Sequence, residues 1–302
     1  MTLEQLRIFV AVAEREHVTQ AAGVLNLTQS ATSAAIGALE NRHAVKLFDR
    51  IGRRIALTDA GRLFLAEARA VLARAASAEA VLADLAGLRR GRLAFAASQT
   101  VANYWLPPLL HRFRTRYPGV ETPVTIGNTQ SVAQAVHDGF ADLGIVEGEI
   151  DDPHLAIDPL AEDQMVLVVG RGHPWATRRI VEAADFGESA WVLREPGSGT
   201  RRLFEDMLSR AGRTLDELVV VLELPSNEAV STAVTAGAGA TVISRLVVQP
   251  VLQAGDLVAV EAELPQRRFF VLQHKERYVS RVAAAFRDLI RERRTTAGPR
   301  EQ

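Results

Sequence analysis

Between residues 18 and 50 the apolar positions fall into two short helical registers with a break between them. Ala21, Ala22 and Leu25 recur at helical spacing, which predicts a first helix over residues 19–26 with Thr19 as its candidate N-cap. Asn26 and Leu27 supply a turn. A second helix is expected to open at Thr28, another N-cap candidate, with Ala31, Ala35, Ile36 and Leu39 forming one apolar stripe and Gln29, Ser30, Thr32 and Ser33 pointing away from it. Residues 45–50 and 53–58 then read as two short strands around Gly52.

The polar face of the second helix has the chemistry of a groove reader. Gln pairs with the N6 and N7 edge of adenine, Ser and Thr hydroxyls bond to either kind of base edge, and a helix N-terminus favours a phosphate. The strand pair carries Arg50, Arg53 and Arg54, so it reads as a basic wing beside a recognition helix. Thr19, Gln20, Thr28, Gln29, Ser30, Ser33, Arg50, Arg53 and Arg54 are the candidate DNA contacts.

At these residues the chain resembles a known family. The run L-T-Q-S-A-x-S-x-x-I-x-x-L-E, then V-K-L-F-D-R, then L-T-x-A-G is similar to the N-terminal domain of LysR-type transcriptional regulators, over residues 3 to about 65. Two positions depart from the family pattern: Ala34 stands where a basic residue is frequent, and His43-Ala44 replaces a Leu-Gly pair. The second change removes a helix-ending glycine, at an expected cost of roughly 1 kcal/mol.

From Thr58 to about Leu88 the pattern predicts one long alanine-rich helix, with Thr58 as N-cap. Ala68, Val71, Ala75, Ala78, Leu82 and Leu85 draw an a/d seam along a rod of roughly 45 Å. Such a seam needs a partner, and a helix-turn-helix protein normally reads two half-sites, so a homodimer is expected. The resemblance implies antiparallel dimerisation through this helix, as a homodimer or within a homotetramer.

Gly87-Leu88-Arg89-Arg90-Gly91-Arg92 reads as a hinge. Beyond it, strand-like runs at 93–97, 121–126, 142–146, 165–169, 191–194, 218–224 and 240–244 alternate with helical patterns at 106–116, 131–139, 200–211 and 227–236. That alternation predicts α/β units with mainly parallel sheets. The resemblance implies two α/β subdomains of the type 2 periplasmic-binding-protein kind, with crossings near 160–164 and 265–268. The expected layout is therefore a winged helix-turn-helix over 1–58, a dimerisation linker helix over 59–90, and an effector-binding domain over 91–302. Its subdomain I is 91–162 with 268–295, its subdomain II is 163–267, and the tail from Thr295 is expected to lack order.

Two strand-to-helix junctions carry candidate ligand chemistry: Ala97-Ser98-Gln99-Thr100 and Glu195-Pro196-Gly197-Ser198-Gly199-Thr200-Arg201. Glycines let the backbone turn sharply there, and amides at a helix start with nearby hydroxyls suit a carboxylate, sulfur oxyanion or phosphate. Asn128-Thr129, Pro225-Ser226-Asn227 and Ser244 occupy equivalent junctions. The candidate effector residues are thus Ser98, Gln99, Thr100, Asn128, Thr129, Gly197, Ser198, Thr200, Asn227 and Ser244. Arg201 is read as either an anion's counter-charge or a partner of Glu205, Glu147 as a gate or hydrogen-bond acceptor, and Trp105 as core. The E-P-G-S-G-T-R and P-S-N-E-A segments resemble family members that respond to small anionic metabolites of sulfur or carbon assimilation.

Charge sharpens this division. Residues 1–92 hold 13 Lys and Arg against 9 Asp and Glu, a balance of +4, while the other 210 hold 22 against 27, a balance of −5. The basic end is the DNA end, and the modest excess implies that affinity depends on presenting more than one copy. With no cysteine, disulfides and thiolate metal sites are excluded, and the seven histidines show no metal-ligand spacing. No metal or cofactor is expected.

No apolar run of membrane-spanning length occurs and the first residues carry no export signal, so a cytoplasmic protein is expected rather than an exported solute-binding component. Gly197-Ser198-Gly199 lacks the spacing of a nucleophile elbow, and Gly237-Ala238-Gly239 precedes a strand instead of opening a helix, so catalysis is not expected. The sequence supports a promoter-binding regulator controlled by a small anionic effector; the alternative is a DNA-binding regulator that works without one.

Overall fold

The computed structural model describes residues 1–51, 54–85, 91–148, 150–178 and 180–296. It divides into a first unit, Met1–Leu85 with Asp138–Phe140, and a second made of Ala86–His137 and Ala141–Gln302. The sequence-read hinge at 87–92 lies outside the described residues except for Gly91 and Arg92.

The first unit opens with α1 (Leu3–Arg15), which starts at a capping box: the Gln5 amide donates to the Thr2 hydroxyl at 3.1 Å and the Thr2 amide to the Gln5 side chain at 3.0 Å. Its buried face, led by Leu6, Phe9 and Val12, collects α2 (Val18–Val24) and α3 (Gln29–His43) around a single core. Strands β1 (Phe48–Ile51) and β2 (Arg54–Leu57) pair antiparallel as the wing, and α4 (Asp59–Leu85) follows.

Thr58 caps α4 by accepting from the Gly61 amide at 2.9 Å, as expected. Ala68 packs into the first unit's own core with Phe64, Leu65 and Leu72. Further along the seam Leu82 and Leu85 are 68% and 78% exposed.

Several expectations for this unit need correction. The first helix starts one residue early, because extended His17, not Thr19, is its N-cap, its ring accepting from the Gln20 amide at 3.4 Å. It also ends at Val24, since Asn26 adopts a left-handed φ of 54°. On α3 the inward stripe is Thr32, Ala35, Ile36 and Leu39; Ala31 is exposed. Thr32 is buried because its hydroxyl donates to the Thr28 carbonyl at 3.1 Å, which lets a polar side chain face the core.

The second unit holds β3 (Gly91–Arg92), β4 (Phe95–Ser98), α5 (Pro107–Arg116), β5 (Val120–Glu121), β6 (Val124–Gly127), α6 (Thr129–Asp138), β7 (Leu143–Glu147) and β8 (Leu155–Asp163). It continues with β9 (Met165–Gly170), β10 (Ala190–Arg194), α7 (Gly199–Arg210), β11 (Val219–Leu224), α8 (Asn227–Thr235), β12 (Ala240–Ser244), α9 (Arg245–Ala254), β13 (Leu257–Val260), β14 (Arg267–His274) and α10 (Arg281–Thr296). One π-helical turn, Val101–Trp105, leads into α5.

Two five-stranded sheets result, in the orders β6-β4-β7-β14-β8 and β11-β10-β12-β9-β13. They are mixed, not mainly parallel: β14 runs antiparallel to β7 and β8, and β9 antiparallel to β12 and β13. The chain passes between the sheets through Gln164 and returns between β13 and β14. Antiparallel order follows, because each crossing strand enters its sheet against the direction set by the βα units.

The pattern at 121–126 is split into two strands, since Pro123 cannot donate to a ladder. α9 and β13 escaped the sequence reading, and of β8 only the crossing near 160–164 was expected. The burial of β8 alternates irregularly, and Pro250 inside α9 masks its helical pattern.

Candidate functional site

In the first unit the exposed face of the helix-turn-helix gathers Thr19, Gln20, Thr28, Gln29, Ser30 and Ser33. Thr28 is engaged locally: its hydroxyl accepts from the Ala31 amide at 3.2 Å and lies 3.0 Å from that of Ser30. Asn26 and, at the far end of α3, Ala44 (φ 51°) take the left-handed conformations that turn the chain. Ala44 therefore occupies the position where the sequence comparison anticipated a glycine. The side chains of Arg50 and Arg54, and Arg53 altogether, lie outside the described residues.

One residue that the sequence reading passed over holds the wing to this helix. Glu40, buried on the inner face of α3, accepts from the backbone amides of Leu47 and Phe48 at 2.8 and 3.2 Å and from Lys46 Nζ at 2.9 Å. Burial opposes its ionisation, but the Lys46 and backbone donors outweigh it and hold the carboxyl below the usual range. A Glu following an apolar helical stripe, just before a strand, was the available signal.

In the second unit the two sheets present polar side chains to one another from the C-terminal ends of their parallel strands. Ser98, at the end of β4, and Thr100 both donate to the carboxylate of Glu147 at the end of β7, Thr100 at 3.3 Å. Thr129, first in α6, donates to the Glu147 carbonyl at 2.8 Å. From the other subdomain, Asn227 Nδ2 donates to the Thr100 hydroxyl at 3.1 Å, and Arg194 Nη1 to Asn227 Oδ1 at 2.6 Å. Gln99 donates to the Pro225 carbonyl at 2.7 Å and accepts from the Asn227 amide at 3.0 Å, while Asn128 donates to Glu195 at 3.2 Å. Ser98, Thr100, Thr129, Glu147, Arg194 and Asn227 are all buried.

Gly199 makes close approach possible where α7 faces Glu147, because a Cβ there would run into the Glu147 carbonyl and the Thr129 hydroxyl. Gly197 turns with φ 86°, a conformation glycine adopts without strain. Ser198 heads α7 without a side-chain capping bond. Beside this junction lies an open cavity of about 470 Å³ whose walls include Thr129, Gly148, Gly197, Ser198, Gly199 and Arg201.

Ser98, Thr100 and Thr129 thus meet at Glu147, with Asn227 and Gln99 joined to them across the cleft, whereas Thr129, Gly197 and Ser198 border the open cavity and Asn128 bonds to Glu195. Ser244 and Thr200 belong to an adjoining network: Ser244 donates to Asp163 at 2.7 Å, Arg267 Nε to Asp163 at 2.7 Å, and Arg267 Nη1 to the Thr200 hydroxyl at 2.8 Å. Arg194, Asp163 and Arg267 were missed by the sequence reading, their signal being charges at the ends of apolar strands. Arg194 also pairs with Glu195 at 2.8 Å; burial raises the Glu195 pKa, but Arg194 and Asn128 reverse the balance and hold it below the usual range. Arg201 bonds to Glu205 at 2.7 Å and to Glu223. Trp105 sits in the core, as expected.

Residues 3–62 match the family model of the bacterial regulatory helix-turn-helix protein, lysR family, and residues 86–295 that of the LysR substrate binding domain. The chain belongs to the LysR family of transcriptional regulators. It is 35% identical over 290 residues to the uncharacterized HTH-type transcriptional regulator YeiE of Escherichia coli (strain K12), covering 95% of this chain and 96% of that one. The regulatory domain of Synechocystis PCC6803 CcmR in complex with 2-PG aligns with a TM-score of 0.63 at 26% identity, over 69% of this chain and 99% of that chain. Full-length CbnR complexed with its target DNA shares the fold at a TM-score of 0.67 and 23% identity, over 97% of this chain and 99% of that chain. The relatives are transcriptional regulators, not enzymes. No described helix is long and apolar enough to cross a membrane.

Proposed function

We propose that this regulator binds promoter DNA through the exposed N-terminal face of α3 and the wing, and that a small anionic metabolite in the C-terminal cleft controls that binding. The observation that carries the ligand reading is the open cavity at the start of α7. Its volume suits a small metabolite, and a helix N-terminus without a side-chain cap attracts negative charge. Glu147 adds a constraint: a carboxylate at the centre of the cleft repels a bare anion, so the ligand pairs its anionic group at α7 with a hydroxyl or amine donor directed at Glu147. The CcmR regulatory domain, solved in complex with 2-PG, supports a small-molecule ligand for a domain of this fold.

Ligand acts only through differential affinity for two arrangements of the subdomains. Closure then alters how the subunits of a homodimer or homotetramer assemble, and so the spacing of their recognition helices. Exposed Leu82 and Leu85 on α4, with exposed Val219 and Leu222 on edge strand β11, are the surfaces we assign to that assembly. Binding a promoter places the protein in the cytoplasm. A titration of the purified chain with small anionic metabolites, following melting temperature and DNA footprint together, tests the reading. A metabolite that shifts both in the parent, but neither in a Thr100→Leu, Ser198→Leu variant, supports it; an unchanged response in that variant overturns the cleft assignment.

One observation favours a second reading. Glu147, Ser98, Thr100, Asn227 and Arg194 hydrogen-bond to one another in a continuous network across the cleft. A regulator that works without an effector would bind its promoter with the same footprint in every metabolite tested.

A further inference from the structure

The cavity at the start of α7 has an acidic wall. Among the described residues, Asp151, Asp152 and Glu205 line it against Arg201 and Arg202, three carboxylates to two guanidinium groups. Both arginines are already paired, Arg201 with Glu205 and Glu223, and Arg202 with Asp206 at 3.0 Å. The helix start still attracts negative charge, but an anion bound there gains from a further positive charge. A source of one stands behind the wall, where His137 Nδ1 lies 3.0 Å from the Asp152 carboxylate.

His137 belongs to a cluster. In the last turn of α6, its ring centre is 5.3 Å from that of His154, just before β8, and 6.1 Å from that of His274, which ends β14. The His154 and His274 rings stack at 6.1 Å. We propose that the cleft binds its anion together with a proton taken up by these three histidines, so that its affinity for the anion rises as pH falls. This rests on the cleft reading above and adds a mode of regulation to it, a joint response to metabolite and acidity.

The surroundings of the cluster set when the proton arrives. Asp151 and Asp152 precede it in the loop, and Lys275, Glu276 and Arg277 follow it in the turn after β14. The Lys275 amide donates to the His154 carbonyl at 2.9 Å, and Arg277 donates to the Val136 and His137 carbonyls at 2.6 and 2.7 Å. The Glu276 amide donates to His274 Nδ1 at 3.2 Å, a bond that a neutral ring accepts and an imidazolium loses. Burial first, then Arg277 and His137, hold the His274 pKa below its ordinary 6.5, against the pull of Glu276. Burial also opposes ionisation of Asp152, but the His154 amide and His137 outweigh it, so Asp152 stays a carboxylate where imidazoles titrate.

Charge couples the two events. With the cluster neutral, the wall carries one excess negative charge, three against two; one proton cancels it and a second reverses it. A bound anion stabilises the imidazolium behind Asp152, and by reciprocity that imidazolium stabilises the anion.

The test uses the full-length protein with sulfate as the probe, a dianion that does not titrate near neutrality, at constant ionic strength. Calorimetry should show sulfate binding about fivefold more tightly at about pH 5.5 than at about pH 7.5, within the tenfold that one unit of pKa shift allows, with a heat that varies with the buffer because a proton is taken up. The variant His137→Gln, His154→Gln, His274→Gln should match the parent at the higher pH and lose the gain at the lower. Asp152→Asn should bind sulfate more tightly at the higher pH and respond less to acid, and it gives the same reading should the triple variant fail to fold. Ser198→Leu should abolish sulfate binding at both values. Binding that Ser198→Leu abolishes but that is equal at both pH values in the parent would overturn the proton coupling and leave the cleft reading standing. A gain that survives the three substitutions would put the proton on another group, such as Glu147, and overturn the role of the cluster. Binding that persists in Ser198→Leu would overturn the cleft reading and this inference with it. No sulfate binding at either pH would overturn this inference and leave the cleft reading to its own titration.

Discussion

Asp163 and Arg267 stand opposite one another on β8 and β14 and also pair through their buried side chains, at the point where the chain leaves one sheet and re-enters it. A buried pair like this adds little net stability over an apolar one, but losing one partner strands a charge. Asp163→Ala should therefore lower stability by about 3–5 kcal/mol in chemical denaturation. The double variant Asp163→Ala, Arg267→Met should recover much of that loss. Equal destabilisation in single and double variants would show that the pair does not act as a unit.

Gly199 lies against the Glu147 carbonyl and the Thr129 hydroxyl. In Gly199→Ala the added methyl must push the subdomains apart, with an expected loss of about 1–3 kcal/mol from overpacking. Thermal melting should report the loss, and any effector found for the cleft should bind more weakly, because closure now carries strain.

Glu40 satisfies two backbone amides between α3 and the wing. Glu40→Ala leaves them unpaired at about 1–3 kcal/mol each where they are buried. Affinity for specific and random DNA should fall together, since the wing loses its anchor while Gln29 keeps its chemistry. A change confined to sequence preference would contradict the anchoring role.

Gln29 projects from the exposed start of α3. Gln29→Ala should cost about 1–3 kcal/mol on the specific site and little on random DNA, as measured by fluorescence anisotropy. Arg53→Ala, in contrast, should weaken every sequence and reduce the salt slope by about 1.

Acidification should destabilise the second unit before the carboxylates titrate. Burial lowers the pKa of His173, and burial followed by Arg277 and His137 lowers that of His274, whose ring lies 6.1 Å from those of His137 and His154. A lowered folded pKa means that the unfolded chain takes up the proton first. Stability is complete above the unfolded value of 6.5 and declines as pH falls through it toward the folded values. The melting temperature should drop from about pH 7.5 to about pH 5.5, and less so in His173→Gln, His274→Gln. Carboxylates held low, such as Glu40 and Glu195, act below the ordinary glutamate range, outside that window.

Much of the DNA-reading end is legible in the sequence because its determinants are local. Thr28 and Thr58 cap the helices that follow them through bonds spanning three residues, and the polar start of α3 is exposed because Ile36 and Leu39 turn the opposite face inward. The junctions at Ser98, Thr129, Ser198 and Asn227 were legible for the same reason: each follows an apolar strand and opens a helix or helical turn.

What only the tertiary structure decided is which of those junctions meet and what charge they face. Glu147 reaches Ser98 and Thr100 from 49 and 47 residues away, and Arg267 reaches Asp163 across 104. Periodicity and capping constrain neighbours a few residues apart along the chain. Partners such as these are selected by how the sheets pack, and by the need to satisfy each polar group that packing buries.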